Sequence, residues 1–219
     1  MPLTRLPLTS SAITGTLPIA NGGTNVTSAA DLANTGNLVK ISSATANNDS
    51  SISFTSGIDS TYDKYIFECI SIRPATDNTS FQWNASIDGG SNYNVSKTST
   101  FTAVQNREND TDGSLFFSGG ASLGSSTNYH VLSYAGVGNR TTESCSGILE
   151  LYNPSSTSFE KLCHSNFVNN HSAGGSTGYS TRGEASYVYH TTSAINAVDF
   201  EFASGNITSG TIILYGVKT

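Results

Sequence analysis
Few residues in this chain are equipped for chemistry, and they are scattered. Histidines stand at 130, 164, 171 and 190, and cysteines at 69, 145 and 163. Cys163-His164 is an adjacent thiol–imidazole pair. A thiolate nucleophile needs an imidazole within hydrogen-bond reach, whereas neighbours along a strand point to opposite faces. Cys163 is therefore expected to be a buried structural thiol. The Cys and His spacings are too wide for a zinc site. Asn109-Asp110-Thr111-Asp112-Gly113 places oxygen ligands at alternate positions before a glycine, as calcium loops do. The bidentate glutamate such a loop needs is missing, because Ser-Leu-Phe-Phe follows, so a polar hairpin turn is the expectation. Glu143, Glu150, Glu160, Glu184 and Glu201 are candidates for a glycosidase pair. Each falls in an alternating strand pattern, where an outward, solvated carboxylate is expected. No phosphate-binding glycine loop is present. Tyr93, Tyr129, Tyr134, Tyr152, Tyr179, Tyr187 and Tyr189 offer apolar area with a polar tip, which suits sugar or protein contacts or the edges of a core. The reading is of a non-enzyme without a cofactor.

The elements that must position these residues are strands. Charged residues make up only 12% of the 219, while 10 Phe and 10 Tyr can fill a core. Thr, Tyr, Phe and Ile favour strands; Gly, Asn, Ser and Asp favour turns. A net charge of -6 argues against nucleic acid and anionic membranes. No apolar run reaches membrane-spanning or signal-peptide length, so assembly in a cytoplasm is expected. An odd number of separated cysteines does not form a disulfide framework.

Candidate strands are 38–42, 51–55, 65–72, 80–87, 97–105, 115–118, 129–134, 145–152, 159–166, 184–189, 197–202 and 211–217. Turn signals such as Asp88-Gly-Gly, Asn153-Pro154 and Gly174-Gly175 separate them. Such a series indicates an antiparallel, jelly-roll-like β-sandwich over residues 38–219. Tyr65–Ile72 and Thr211–Val217 are apolar on both faces and read as neighbouring inner strands. Tyr65, Phe67, Ile70, Trp83 and Leu214 are expected in the core. In the run from Ser80, Phe81, Trp83, Ala85 and Ile87 should face inward, and Asp199 and Glu201 outward. Residues 1–37 hold Pro2, Pro7 and Pro18 and read as an extended arm, with a short helical turn possible over Thr27–Ala33. Leu3, Leu6, Leu8, Ile13, Leu17 and Ile19 recur there without a sustained period and need a neighbour to cover them, and Gly22-Gly23 is the expected turn into the sandwich.

Within that arm, Ile13-Thr-Gly-Thr-Leu-Pro-Ile-Ala-Asn-Gly-Gly-Thr-Asn25, followed by Val-Thr-Ser-Ala-Ala-Asp-Leu, resembles a motif of tailed-bacteriophage tail fibres. Asn25 stands where that motif usually has glycine; asparagine also tolerates positive φ. The segments from Gly57, Asp88 and Ser209 more loosely resemble a domain of phage structural proteins. The resemblance carries no catalytic residues. It implies a virion protein, assembled in the host cytoplasm as a homotrimer, with the arm attached to another virion protein. A tail fibre or tail-tip appendage is the first expectation and a head fibre or capsid decoration protein the alternative. A polysaccharide-degrading tailspike is disfavoured, because no β-helix repeat is visible. Binding of a host-surface glycan or protein is expected at loops around Asp88–Tyr93, Asn106–Gly113 and Asn169–Tyr179, with Asp88, Tyr93, Asp110, Asp112, His171 and Tyr179 as candidate contacts.

Overall fold
A computed structural model describes residues 37–109, 113–171 and 178–218. The arm, with its leucines, isoleucines, possible helical turn and Gly22-Gly23, lies outside the described residues, as do Asp110 and Asp112. Val39–Thr219 is a compact unit by itself. Its described residues form β1 (Leu38–Thr45), β2 (Ser51–Phe54), β3 (Lys64–Pro74), β4 (Phe81–Ser86), β5 (Lys97–Arg107), β6 (Ser114–Phe117), β7 (His130–Val131), β8 (Cys145–Tyr152), β9 (Lys161–His171), β10 (Tyr179–Tyr189), β11 (Ala197–Phe202) and β12 (Ile207–Val217), with no helix among them. Each strand expected from the sequence is present.

One sheet has the order β1-β12-β3-β8-β9-β10-β5-β6 and the other β2-β11-β4-β7. Setting β5, β6, β9 and β10 aside leaves two four-stranded sheets, β1-β12-β3-β8 and β2-β11-β4-β7. That is the order of a jelly roll. The four remaining strands are insertions, one pair between β4 and β7 and one hairpin between β8 and β11. They pair with each other through β10 and β5 and extend the larger sheet past β8.

β3 and β12 are inner neighbours, registered Leu214 to Phe67 and Ile212 to Cys69. Tyr65, Phe67, Trp83 and Leu214 are fully buried, as expected. Ile70 is not: it is 42% exposed. The two faces of β3 are not equally covered, and a bulge explains the residue count. Register with β8 breaks between Cys69 and Ile72, where Ser71 takes φ 53°. The extra residue leaves Ile70 and Ser71 outside and returns Ile72 to the core. β3 also continues through Arg73 to Pro74, which pairs with Ile207 where the ladder shifts register.

Other inward and outward assignments need correction. Ile87 is 41% exposed because β4 ends at Ser86 and the chain turns at Asp88. Asp199 is only 3% exposed. Its carboxylate accepts hydrogen bonds from Ser53 Oγ and from Tyr129 Oη, the latter at 3.0 Å. Burial raises its pKa. Glu143 is buried too, its carboxylate accepting from the Arg140 backbone N–H at 3.0 Å. Tyr187 and Tyr189 are core residues stacked edge-on against Trp83. The three cysteines are buried free thiols, and burial raises the pKa of each.

Two outcomes follow. Phe67→Ala should cost about 3–5 kcal/mol in denaturant unfolding, and Ile70→Ala under about 1 kcal/mol. His130 is buried between Phe101 and Tyr187, with Nδ1 donating to the Val131 carbonyl at 2.7 Å. Burial lowers its imidazole to about 4 from the ordinary 6.5. The unfolded chain therefore takes up the proton first. Stability should be full above pH 6.5 and fall by roughly 3 kcal/mol as pH drops towards 4. Urea midpoints across that range should show the fall, and His130→Phe should remove it.

Candidate functional site
The inserted strands bring polar and aromatic side chains together at one end of the larger sheet. Tyr179 is registered to His171 on one side and Arg107 on the other. One step inward, Thr181 stands opposite Asn169 and Gln105. The guanidinium of Arg107 lies over the Tyr179 ring, 4.3 Å from its centroid. Tyr134 and Ala135 approach from the chain after β7, and Asn78 from the β3–β4 connection. Asn78, Gln105, Tyr134, Ala135, His171, Tyr179 and Thr181 line a cleft of about 280 Å³.

The wall of this cleft is held in a demanding conformation. Asn78, Ala135 and Gly136 have φ of 56°, 60° and 75°. A left-handed alanine costs on the order of 1 kcal/mol and persists only where its surroundings fix it. Here Asn169 does the fixing: its Nδ2 donates to the carbonyls of Tyr134 at 3.0 Å and Gly136 at 2.7 Å. Thr181 Oγ1 donates to the Asn169 carbonyl at 3.2 Å. The Tyr134 ring packs edge-on against Phe116 at 4.8 Å. Gly136 has no room for a side chain, since a Cβ would lie 2.4 Å from Asn78 Oδ1 and 2.9 Å from the Asn78 carbonyl carbon.

Of the residues singled out from sequence, His171 and Tyr179 belong to this cleft. Glu108 N–H donates to the Gly178 carbonyl at 3.0 Å, so the described flanks of the two expected loops meet at this end. Asp88 and Tyr93 are elsewhere. They follow β4 and precede Lys97, while the cleft lies at the Arg107 end of the 11-residue β5. That strand spans about 33 Å, so the expected loops do not converge. Asp88 organises its own turn, accepting from Ser86 Oγ at 2.6 Å and from the Asn92 backbone and side-chain amides at 2.9 and 2.7 Å. These bonds, Asn92's foremost, hold its carboxyl down at about 2. Gln105, Arg107, Thr181 and Asn78 were not singled out from sequence. The inward alternation of β5 and β10, carried past the last apolar residue, points to the first three.

The larger sheet's outward face carries a row of charges. Glu150 pairs with Lys64 and accepts from Tyr152 Oη at 2.6 Å; Glu184 contacts His164 Nε2 at 3.1 Å and Arg182 at 2.8 Å. Two of the candidate carboxylates thus lie two strands apart on an open sheet face, each engaged by a cation. Among the described residues no group of three or more His, Cys, Asp or Glu is arranged to hold a metal ion. Comparison with known families, curated proteins and solved structures returns no match.

Gly136→Ala should force the Asn78 turn aside, lower stability by about 1–3 kcal/mol and perturb the amide resonances of Asn78, Tyr134 and Thr181. Gly89→Ala, at φ 72° with open space around it, should leave those resonances in place.

Proposed function
We propose that this chain is a structural protein of a bacteriophage virion, a tail-fibre or tail-tip appendage whose jelly roll binds the host surface. The observation that carries this reading is the run Gly15-Thr-Leu-Pro-Ile-Ala-Asn-Gly-Gly-Thr24, the tail-fibre-like motif, placed ahead of a jelly roll. The cleft supports the binding role. Ring faces from Tyr134 and Tyr179 beside amide, hydroxyl and imidazole groups suit a saccharide unit, which needs a stacking surface and several directed hydrogen bonds. In this reading the site holds its ligand and does not cleave it, and residues 1–37 dock on another virion protein.

The reading includes a homotrimer. Leu115 and Phe117 are 76% and 62% exposed on β6, the edge strand of the larger sheet, with Val104 beside them on β5. An apolar edge invites pairing with another strand. Sister chains are the occupant that fits a symmetric fibre. Light scattering should give three times the chain mass, and Phe117→Glu should lower it. A stable monomer at micromolar concentration would count against the trimer.

Binding is tested with host envelope polysaccharide on a sensor surface. Tyr179→Ala or Gln105→Ala should weaken retention at least about tenfold, as loss of a buried aromatic or polar contact does. Release of reducing sugar by the protein would overturn the non-enzymatic reading. Attachment is tested by a chain starting at Leu38, which should fold and be missing from assembled particles.

A further inference from the structure
Lys97 is an unusual lysine. It is the first residue of β5, points into the sandwich and is fully buried. Its recorded partners are neutral. Nζ donates to Asn84 Oδ1 at 3.0 Å and to the Asn128 carbonyl, and sits over the Tyr189 ring, 5.3 Å from its centroid. Asn84, on β4, is also fully buried. Its Nδ2 donates to the carbonyls of Tyr93 at 2.6 Å and Thr127 at 2.9 Å, which leaves Oδ1 turned to the lysine. That oxygen collects two further donors, the Ala85 backbone N–H at 2.9 Å and Tyr189 Oη at 3.3 Å.

We propose that Lys97 and Asn84 form an intramolecular amide cross-link. The Nζ of the neutral amine attacks Asn84 Cγ. The Nζ–Cγ bond forms, the Cγ–Nδ2 bond breaks, and one proton passes from Nζ to the departing nitrogen, which leaves as ammonia. Primary amide and amine become secondary amide and ammonia, so no oxidant or cofactor is required.

Four features of the site favour this reaction. The amine is held in contact with the amide it must attack, which removes the entropy of encounter. Burial lowers the Lys97 ammonium to about 8, so the nucleophilic free base is accessible near neutral pH. Negative charge developing on Oδ1 meets the Ala85 N–H and the Tyr189 hydroxyl, donors already in place. Lys97, Asn84 and Tyr189 are each fully buried, which excludes the water that would otherwise compete. The buried carboxyl of Asp199 stands opposite Asn84 in the β11–β4 register, but Ser53 and Tyr129 occupy it. Activation of the carbonyl therefore falls to Ala85 and Tyr189. The bond would join β4 of the smaller sheet to β5 of the larger and clasp the connection that carries Asp88 and Tyr93.

The test is intact mass of the purified full chain under denaturing conditions, followed by tryptic mapping. The expected mass is that of the sequence less one ammonia. Cleavage after Lys97 should be blocked, and fragmentation should place a branch between Lys97 and Asn84. Lys97→Met should restore the full sequence mass. An unreduced mass overturns the proposal. So does an ammonia loss that maps to another residue, such as a succinimide at Asn21-Gly22, or one that persists in Lys97→Met.

Discussion
An eight-stranded sheet faces a four-stranded one, and half of its inner surface must be covered by something other than a strand. Irregular chain can supply apolar side chains, but it also brings backbone carbonyls with no ladder to join, and a buried carbonyl needs a donor. The buried polar residues of this protein answer that need. Asn84 donates to Tyr93 and Thr127, Lys97 to Asn128, Lys161 to Phe159 and Thr191, and Asn169 to Tyr134 and Gly136. In each case the acceptor lies in a connection and the donor projects from a strand. At Gly183 the covering chain comes so close that a Cβ would stand 3.3 Å from the Leu132 carbonyl oxygen and 2.5 Å from the Phe101 ring.

The original eight strands are closed differently. Phe67 of the larger sheet meets Phe54 and Phe200 of the smaller, at 5.3 Å from each, and Phe81 stacks on Phe200 at 5.9 Å. Ring contacts of this kind contribute about 0.5–1.5 kcal/mol beyond the area they bury. The jelly roll is thus held by an apolar aromatic seam, and the extension by polar side chains serving a covering segment.

This difference decides what could be read from the sequence. Strands of the aromatic seam were legible, because Phe81, Trp83 and Ala85 alternate and Tyr65, Phe67 and Leu214 are unmistakably apolar. Lys97, Lys161, Asn84 and Asn169 carry the outward signature of polarity yet are buried, since backbone carbonyls of the connections serve as their partners. Asp199 misleads for the same reason: its hydroxyl partners lie 146 and 70 residues away. Ile70 reads as core because nothing in Ile-Ser-Ile signals a bulge at Ser71. For the cleft, His171 and Tyr179 stood out by type. Asn78 and Ala135 did not, because their contribution is a backbone conformation imposed by tertiary contacts.

The two insertions also account for where the cleft arises. A bare jelly roll would end the larger sheet at β8. Adding β9-β10 and β5-β6 creates new inner surface whose far end no strand covers among the described residues, and the chain after β7 reaches over it at Tyr134 and Ala135. The cleft is the remainder of that surface. Its floor is strand, rigid and registered over 11 residue pairs on both sides of β10. Its wall is a strained turn fixed by Asn169. A rigid floor with a polar, strained wall is preorganised: its side chains had their ordering cost met on folding, whatever the cleft then holds. The same folding-over leaves Lys97 and Asn84 sealed together at the opposite end. One topological event, extension of a single sheet beyond its partner, produces both features.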